Sequence, residues 1–421
     1  MLLGDTLDTE QVAAALPVSD CDELLVLSGS GVRCPVEVAP HADDDCDWWV
    51  VSDRTDARGR PKRSDHVLGV GGASATLAQL TVRRLVGRAL DIGTGCGVQA
   101  LHLSRHSSHV TATDVMPRAL RLAATTFALS GVEVDLVEGD LVAGVPDRSF
   151  DLVVCNPPFV VGPAPRFAYR DAGRDLDDIS REVVQSAASV LVDGGVAQLL
   201  VNVAQVRGED WRDRFASWVV DLECDAWLVQ RDVQDPVDYV STWSTDVGDY
   251  DDERADEWLR WMQERDVEAI GFGWVLMRRS TAPHHLAAEE VLHPVDQPLG
   301  PDLAEWLDRV AWLRTRDDDE LLATALSVAP DVRHDVARVR TAHGWDPAGQ
   351  ALRLDRGLRF RLPCDDATAA LVAGCDGATP LARLASVLAA SLGEAPAAVA
   401  AAVAATARGL VERGLLLPPP A

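Results

Sequence analysis

Long apolar runs are missing from this chain, and with them the means to cross a membrane as a helix. Although 47% of the residues are hydrophobic, polar residues interrupt every window long enough to span a bilayer. The N-terminus carries Asp5, Asp8 and Glu10 where a secretory leader has basic and then apolar residues. Cysteine pairs are missing too: the eight cysteines include no C-x-x-C, and the histidines lack a paired zinc spacing. Neither a disulfide framework nor a metal site is therefore expected. His284, His285 and His293 read as parts of a polar loop, since adjacent side chains point in different directions. Reduced thiols and the lack of a leader make cytoplasmic residence the expectation.

Positive charge is also scarce. Lys62 is the only lysine, and 39 basic residues face 66 acidic ones, for a net charge of −27. Such a field repels a phosphate backbone and excludes a grip on nucleic acid by general neutralisation, though not a local basic site. One segment reverses the balance: between residues 331 and 361, Arg333, Arg338, Arg340, Arg353, Arg356, Arg359 and Arg361 outnumber the acids. Two readings of it stand, contact with phosphates or pairing with the chain's own carboxylates.

The chain is long enough for several domains and a sizeable core. Residues 1–65 read as an N-terminal accessory region, with a short helix around Glu10–Leu16 and strand-like runs at Glu23–Leu27, Val32–Val38 and Trp48–Ser52. It ends in a polar loop, Asp53–Asp65, holding Arg54, Arg58, Gly59, Arg60, Pro61, Lys62 and Arg63, which reads as a linker or a lid. Residues 66–280 alternate apolar runs with helical segments, the pattern of an α/β domain. Strands are expected at Ala89–Ile92, Val110–Asp114, Val134–Glu138, Leu152–Cys155, Gly195–Val203, Ala226–Gln230 and Ala269–Arg278. The last two, separated by a helix near Glu253–Arg265, are expected as an antiparallel pair at one edge. Residues 281–361 read as connecting acidic helices, with Asp317–Glu320 as a solvated helix start, followed by the arginine-rich segment. In residues 362–421, helices near Asp365–Ala373, after Thr379–Pro380 and from Pro396 to Arg413 precede a short strand at Gly414–Leu417, a winged-helix-like outline.

Two motifs carry chemistry. The first, Asp91-Ile92-Gly93-Thr94-Gly95-Cys96-Gly97, follows a strand and opens a helix, so its backbone can approach a ligand closely. The next strand ends in Asp114, an acid suited to accept hydrogen bonds from both ribose hydroxyls of an adenosine ligand. Asp140, after the third strand, is placed either to accept from an adenine amino group or to cap a following helix. Asp91 is either a turn residue or a partner for an ammonium group. The second motif, Asn156-Pro157-Pro158-Phe159, leaves the fourth strand at the edge where open α/β sheets bind ligands. An amine on a conjugated system is a poor nucleophile because its lone pair is delocalised. The Asn156 side-chain oxygen and the Pro157 carbonyl can each accept one of its N–H groups, favouring a pyramidal nitrogen. The prolines restrict the backbone, and the Phe159 ring can lie against a planar group.

These residues resemble the class I S-adenosylmethionine-dependent methyltransferases, in their D-x-G-x-G-x-G form, over roughly Asp65 to Arg279. Dinucleotide dehydrogenases carry G-x-G-x-x-G instead. The resemblance implies a Rossmann-like, seven-stranded, mostly parallel sheet and S-adenosyl-L-methionine as cofactor. It places Gly93, Gly95 and Gly97 at the methionine part, Asp114 at the ribose, Val115 beside the adenine, Asp140 at its amino edge, and Asn156 beside the donor. Asn156-Pro157-Pro158-Phe159 resembles the N/D-P-P-Y/F motif of enzymes that methylate adenine N6, guanine N2 or the glutamine side-chain amide. The glutamine enzymes usually carry Tyr where this chain has Phe159, and the N-terminal region lacks their helical bundle. Methylation of an RNA base in the translation apparatus, by positioning alone and without a metal, is the resulting expectation. A protein glutamine, as in a release factor, or a small molecule are alternative acceptors, and a donor-binding module without turnover is a further alternative. Gly71-Gly72-Ala73-Ser74 reads as a loop closing over the donor or as a helix start, and Tyr169-Arg170-Asp171 as lining of the substrate mouth.

Overall fold

Burial on both faces explains why the central strands of this protein read as almost continuous apolar runs. The computed structural model describes residues 6–15, 26–28, 31–54, 64–163, 174–247, 252–281 and 283–420. The loop residues Arg58, Gly59, Arg60, Pro61, Lys62 and Arg63, the triplet Tyr169, Arg170 and Asp171, and the start of the run Glu23–Leu27 lie outside the described residues. The chain divides into two units, Met1–Leu292 and His293–Ala421. No helix among the described residues is long and apolar enough to cross a membrane.

The first unit opens with β1 (Leu7–Asp8), α1 (Thr9–Ala15), β2 (Val26–Ser28) and β3 (Gly31–Arg33), the strands forming a small antiparallel sheet in the order β1-β3-β2. A hairpin follows, β4 (Val36–Ala42) with β5 (Asp47–Asp53), then α2 (Gly72–Leu80). The central run is β6 (Val86–Ile92), α3 (Val98–Leu103), β7 (Ser107–Asp114), α4 (Pro117–Ser130), β8 (Asp135–Glu138) and β9 (Phe150–Cys155). It continues through α5 (Asp178–Val190), β10 (Leu191–Val206), α6 (Trp211–Val219), β11 (Cys224–Gln234), α7 (Pro236–Val247), α8 (Asp252–Gln263), β12 (Val267–Arg279) and β13 (Leu286–Glu290).

One sheet holds β13-β11-β12-β10-β9-β6-β7-β8 in that order, parallel except where β12 runs against both β10 and β11. The Rossmann-like α/β reading holds, with two corrections. The sheet has eight strands rather than seven, because Leu286–Glu290 pairs with Ala226–Gln230. The antiparallel pair β11·β12 accordingly lies inside the sheet and not at its edge.

Proline and glycine mark the ends of α4: Pro117 opens it and Gly131, at φ 65°, closes it. The β4–β5 hairpin packs on this helix. Val51 N–H donates to Thr126 Oγ1 at 2.9 Å, and the buried Asp53 carboxylate accepts two bonds from the Arg118 guanidinium. Part of the expected accessory region is thus fastened to the helix that covers β7 and β8.

The second unit contains α9 (Gly300–Arg314), α10 (Asp318–Leu322), β14 (Ser327–Val328), β15 (Val332–Thr341), β16 (Gly344–Leu354), β17 (Arg361–Pro363), α11 (Asp366–Gly374), α12 (Leu381–Leu392), α13 (Pro396–Glu412) and β18 (Leu416–Leu417). The solvated helix start at Asp317 is a capping box, with Asp317 accepting from Glu320 N–H and Glu320 from Asp317 N–H. The three late helices and the short strand are in place. β18 pairs with β14, upstream of the helices, and the unit's hairpin, β15–β16, also precedes them. The arginine-rich segment is this hairpin, the turn after it and the first residue of β17.

Asp177 joins three elements of the first unit. Its carboxylate, 1% exposed, accepts from Ala204 N–H at 2.8 Å and from Arg214 Nε and Nη2 at 2.8 and 2.6 Å. Removing Asp177 strips the buried Ala204 N–H of its acceptor and leaves Arg214 with Glu209 as its remaining carboxylate. Asp177→Ala is expected to lower stability by about 3 kcal/mol, read from urea denaturation; a loss within error would reject this role.

Candidate active site

The turn after β6 separates the roles of its three glycines. Gly93 and Gly95 adopt φ of 69° and 56°, and a Cβ on either would meet nothing within 4 Å. Their backbone is therefore bare on the side where a ligand can approach. Gly97, at φ 93°, is different, since an added Cβ would lie 2.7 Å from the Phe127 ring. It lets the start of α3 approach α4 closely.

Two carboxyls flank this turn. Asp91 is 1% exposed and accepts the Thr94 hydroxyl at 2.6 Å. Burial raises its pKa from its ordinary value to about 7, with the neighbouring charge of Asp114 adding, while the Thr94 hydroxyl and the Ala100 amide pull the other way. Asp114 accepts from Gly95 N–H and Met116 N–H, each at 2.9 Å, so the carboxylate at the tip of β7 is oriented by the glycine turn itself. Burial pushes its pKa up against the pull of those amides. Val115 is exposed. Asp140 is exposed as well, and no helix follows it before β9; Ala143 N–H is taken by its main-chain carbonyl at 2.9 Å.

The acceptor motif leaves the adjacent strand. Asp91 pairs with Val154 and Ile92 with Cys155, so Gly93 and Asn156 emerge side by side from parallel neighbours. The chain steps outward from β6 to β7 and β8, then returns to the other flank of β6 with β9, which makes this a switch point of the sheet. Asn156 is half-buried and Pro157 is buried. The Pro157 carbonyl accepts Phe159 N–H at 2.8 Å and keeps a second lone pair. The Phe159 ring stands edge-on to Trp243 of α7 at 6.2 Å.

Sequence reasoning misses what fixes the residues after the motif. Tyr239 Oη accepts from Val161 N–H at 2.8 Å and from Asn202 Nδ2 at 3.0 Å, and Trp258 Nε1 donates to the Val161 carbonyl at 2.9 Å. The available signal is Asn202 itself, a polar side chain in the otherwise apolar buried run Leu199–Ala204. At the other side of the turn, Gly71 is the N-cap of α2 and Gly72 its first residue, so this stretch takes the helix-start form. Gln99 Nε2 donates to Ser74 O at 2.8 Å and ties that start to α3. Of the histidines, His293 Nε2 contacts Leu358 O at 2.8 Å and His284 Nδ1 lies 3.5 Å from Ser280 Oγ. Among the described residues no group of three or more His, Cys, Asp or Glu is arranged to hold a metal.

Two outcomes follow from these contacts. Tyr239→Phe removes an acceptor from two buried donors and is expected to cost about 2 kcal/mol; an unchanged denaturation midpoint would contradict it. Because Asp91 titrates near 7 when folded and near its ordinary value when unfolded, the folded state holds a proton that the unfolded chain has released across that window. Stability therefore falls as pH rises towards 7 and levels off above it. Asp91→Asn is expected to remove this component, so that the variant gains on the parent between pH 5 and 8 in urea titrations. A pH-independent difference would refute the assignment.

Residues 69–217 match the family model described as methyltransferase small domain, and residues 304–418 match one described as a domain of unknown function. A release factor glutamine methyltransferase of Deinococcus radiodurans is 38% identical over 146 residues, 30% of this chain and 51% of that protein. A ribosomal RNA small subunit methyltransferase C of Alcanivorax borkumensis is 32% identical over 28% of this chain and 32% of its own length. A ribosomal protein uL3 glutamine methyltransferase of Bordetella pertussis is 32% identical over 36% and 53%. The chain thus spans about half, or less, of the length of these relatives. The glycine turn, the acid at the tip of β7 and the Asn-Pro-Pro-Phe strand end all fall inside the segment, residues 69–217, that matches the methyltransferase small domain.

Proposed function

We propose that this protein transfers a methyl group from S-adenosylmethionine to a planar amino nitrogen, with an RNA base of the translation apparatus as acceptor. The observation that carries the reading is the pairing of Ile92 with Cys155, which sets the bare glycine turn beside Asn156. The residues suit the cofactor: open backbone at Gly93 and Gly95, an oriented carboxylate at Asp114 for a ribose, and a buried carboxyl at Asp91 for a cationic group. S-adenosylmethionine supplies an electrophilic methyl group when bound.

The chain's own part is to present the amine. Asn156 Oδ1 and the free lone pair of the Pro157 carbonyl accept one N–H each, which turns the nitrogen lone pair away from conjugation. Phe159, braced by Trp243, supports the planar group. Positioning of this kind is enough to lower the barrier, because the nitrogen can shed its proton after transfer.

A second reading is methylation of a glutamine amide in a translation protein. The 38% identity to a release factor glutamine methyltransferase favours it, and Phe159 in place of the usual Tyr weighs against it. Asn156→Ala is expected to cut turnover about a hundredfold or more, measured with radiolabelled methyl donor, while calorimetry shows donor affinity nearly intact. Retained turnover sinks the proposal. Label on cell extract that is lost to nuclease supports RNA, and label lost to protease supports the glutamine reading.

A further inference from the structure

Within the basic segment most arginines are neutralised locally. Arg333 pairs with Asp355 at 3.0 Å, Arg353 with Asp335 at 3.1 Å, Arg356 with Glu305 at 2.7 Å and Arg359 with Asp296 at 2.6 Å. Among the described residues Arg338, Arg340 and Arg361 have no carboxylate partner. Two of these three lie on the outer half of the β15–β16 hairpin.

That outer half has the form of an arm. β17 pairs only with Ala351–Arg353, so Val336–Gly349 is two-stranded, and nearly all of it is exposed on both faces. Cross-strand partners share a face. Val336 pairs with Gln350, Arg338 with Pro347 and Arg340 with Trp345, which gathers two guanidinium groups, a valine, a proline and an indole on one side. Asp346 pairs with Val339 and falls on the other side. Trp345 is 63% exposed and Val336 56% exposed. An isolated two-stranded ribbon is marginal in water, and one carrying exposed apolar groups beside unpaired cations has the composition of a contact surface.

We propose that this face of the β15–β16 arm binds single-stranded RNA, with Arg338 and Arg340 on phosphates and a base stacked on Trp345. The identification of RNA rather than DNA rests on the acceptor proposed above. Charge complementarity selects an anionic partner, since two guanidinium groups without a carboxylate stand together on a chain whose net charge is −27. An acidic peptide would satisfy the guanidinium groups but offers no planar partner to the indole.

The test uses the full-length protein and the fluorescence anisotropy of a labelled, unstructured oligoribonucleotide. Arg338→Gln with Arg340→Gln should reduce the slope of log affinity against log salt by about 1.4, two contacts of about 0.7 each. Trp345→Ala should weaken binding about tenfold and leave the slope unchanged. Circular dichroism and donor affinity should match the parent in all variants. RNA binding unaffected by these changes overturns the proposal. So does a polyglutamate probe that binds through the two arginines as tightly as RNA and ignores Trp345. RNA binding that follows the predicted pattern, combined with methyl label found only on protein, keeps the arm and refutes the RNA acceptor.

Discussion

The backbone pairing of β6 with β9 is the constraint on which the site depends. These two parallel strands are neighbours in the sheet but far apart in sequence, and their register puts Ile92 opposite Cys155. A glycine turn without that neighbour is a generic ligand-facing loop, and Asn-Pro-Pro-Phe without it is a rigid strand end. Placed level with each other, they give the proposed site an electrophile side and an amine side. The apolar packing of β6, β9 and β10 under α5 and α6 holds the register, because a slip would take fully buried side chains out of the packing that now surrounds them.

The same strand ends concentrate charge where water is excluded. Asp91 and Asp114 lie 1% and 6% exposed at the tips of adjacent strands. The fold tolerates them through specific donors, the Thr94 hydroxyl for one and the amides of Gly95 and Met116 for the other. Groups held this way are already oriented before a ligand arrives, so less ordering remains to be done at binding. Perturbed carboxyls in a cleft are also a recurrent mark of a functional site, which agrees with the motif.

Legibility in the sequence followed burial. The strands carrying the site are apolar on both faces, and their positions emerge from the run pattern within a few residues. β13, Leu-Ala-Ala-Glu-Glu, is acidic and short, and becomes a strand only through pairing with β11, a long-range effect that local pattern does not contain. The β15–β16 hairpin escapes for the opposite reason: with no buried face on its outer half, it has no apolar alternation to read. Within the site, the motif residues were legible as chemistry, whereas the difference between Gly95 and Gly97 was not, because it depends on Phe127 of another helix. Tyr239, Trp243 and Trp258 were equally hidden, since their partners come from distant turns of the chain.

The double proline has one more consequence. Pro157 and Pro158 have no N–H, and the next one, on Phe159, is already bound to the Pro157 carbonyl. Over these three residues the main chain faces a ligand with acceptors only. A ring substituent that brings hydrogens, an amino group, finds partners there. A keto oxygen at the same ring position would meet lone pairs against lone pairs and be left unsatisfied on burial. In the proposed site, the main chain of Pro157–Phe159 therefore favours an amino over a keto substituent at that ring position.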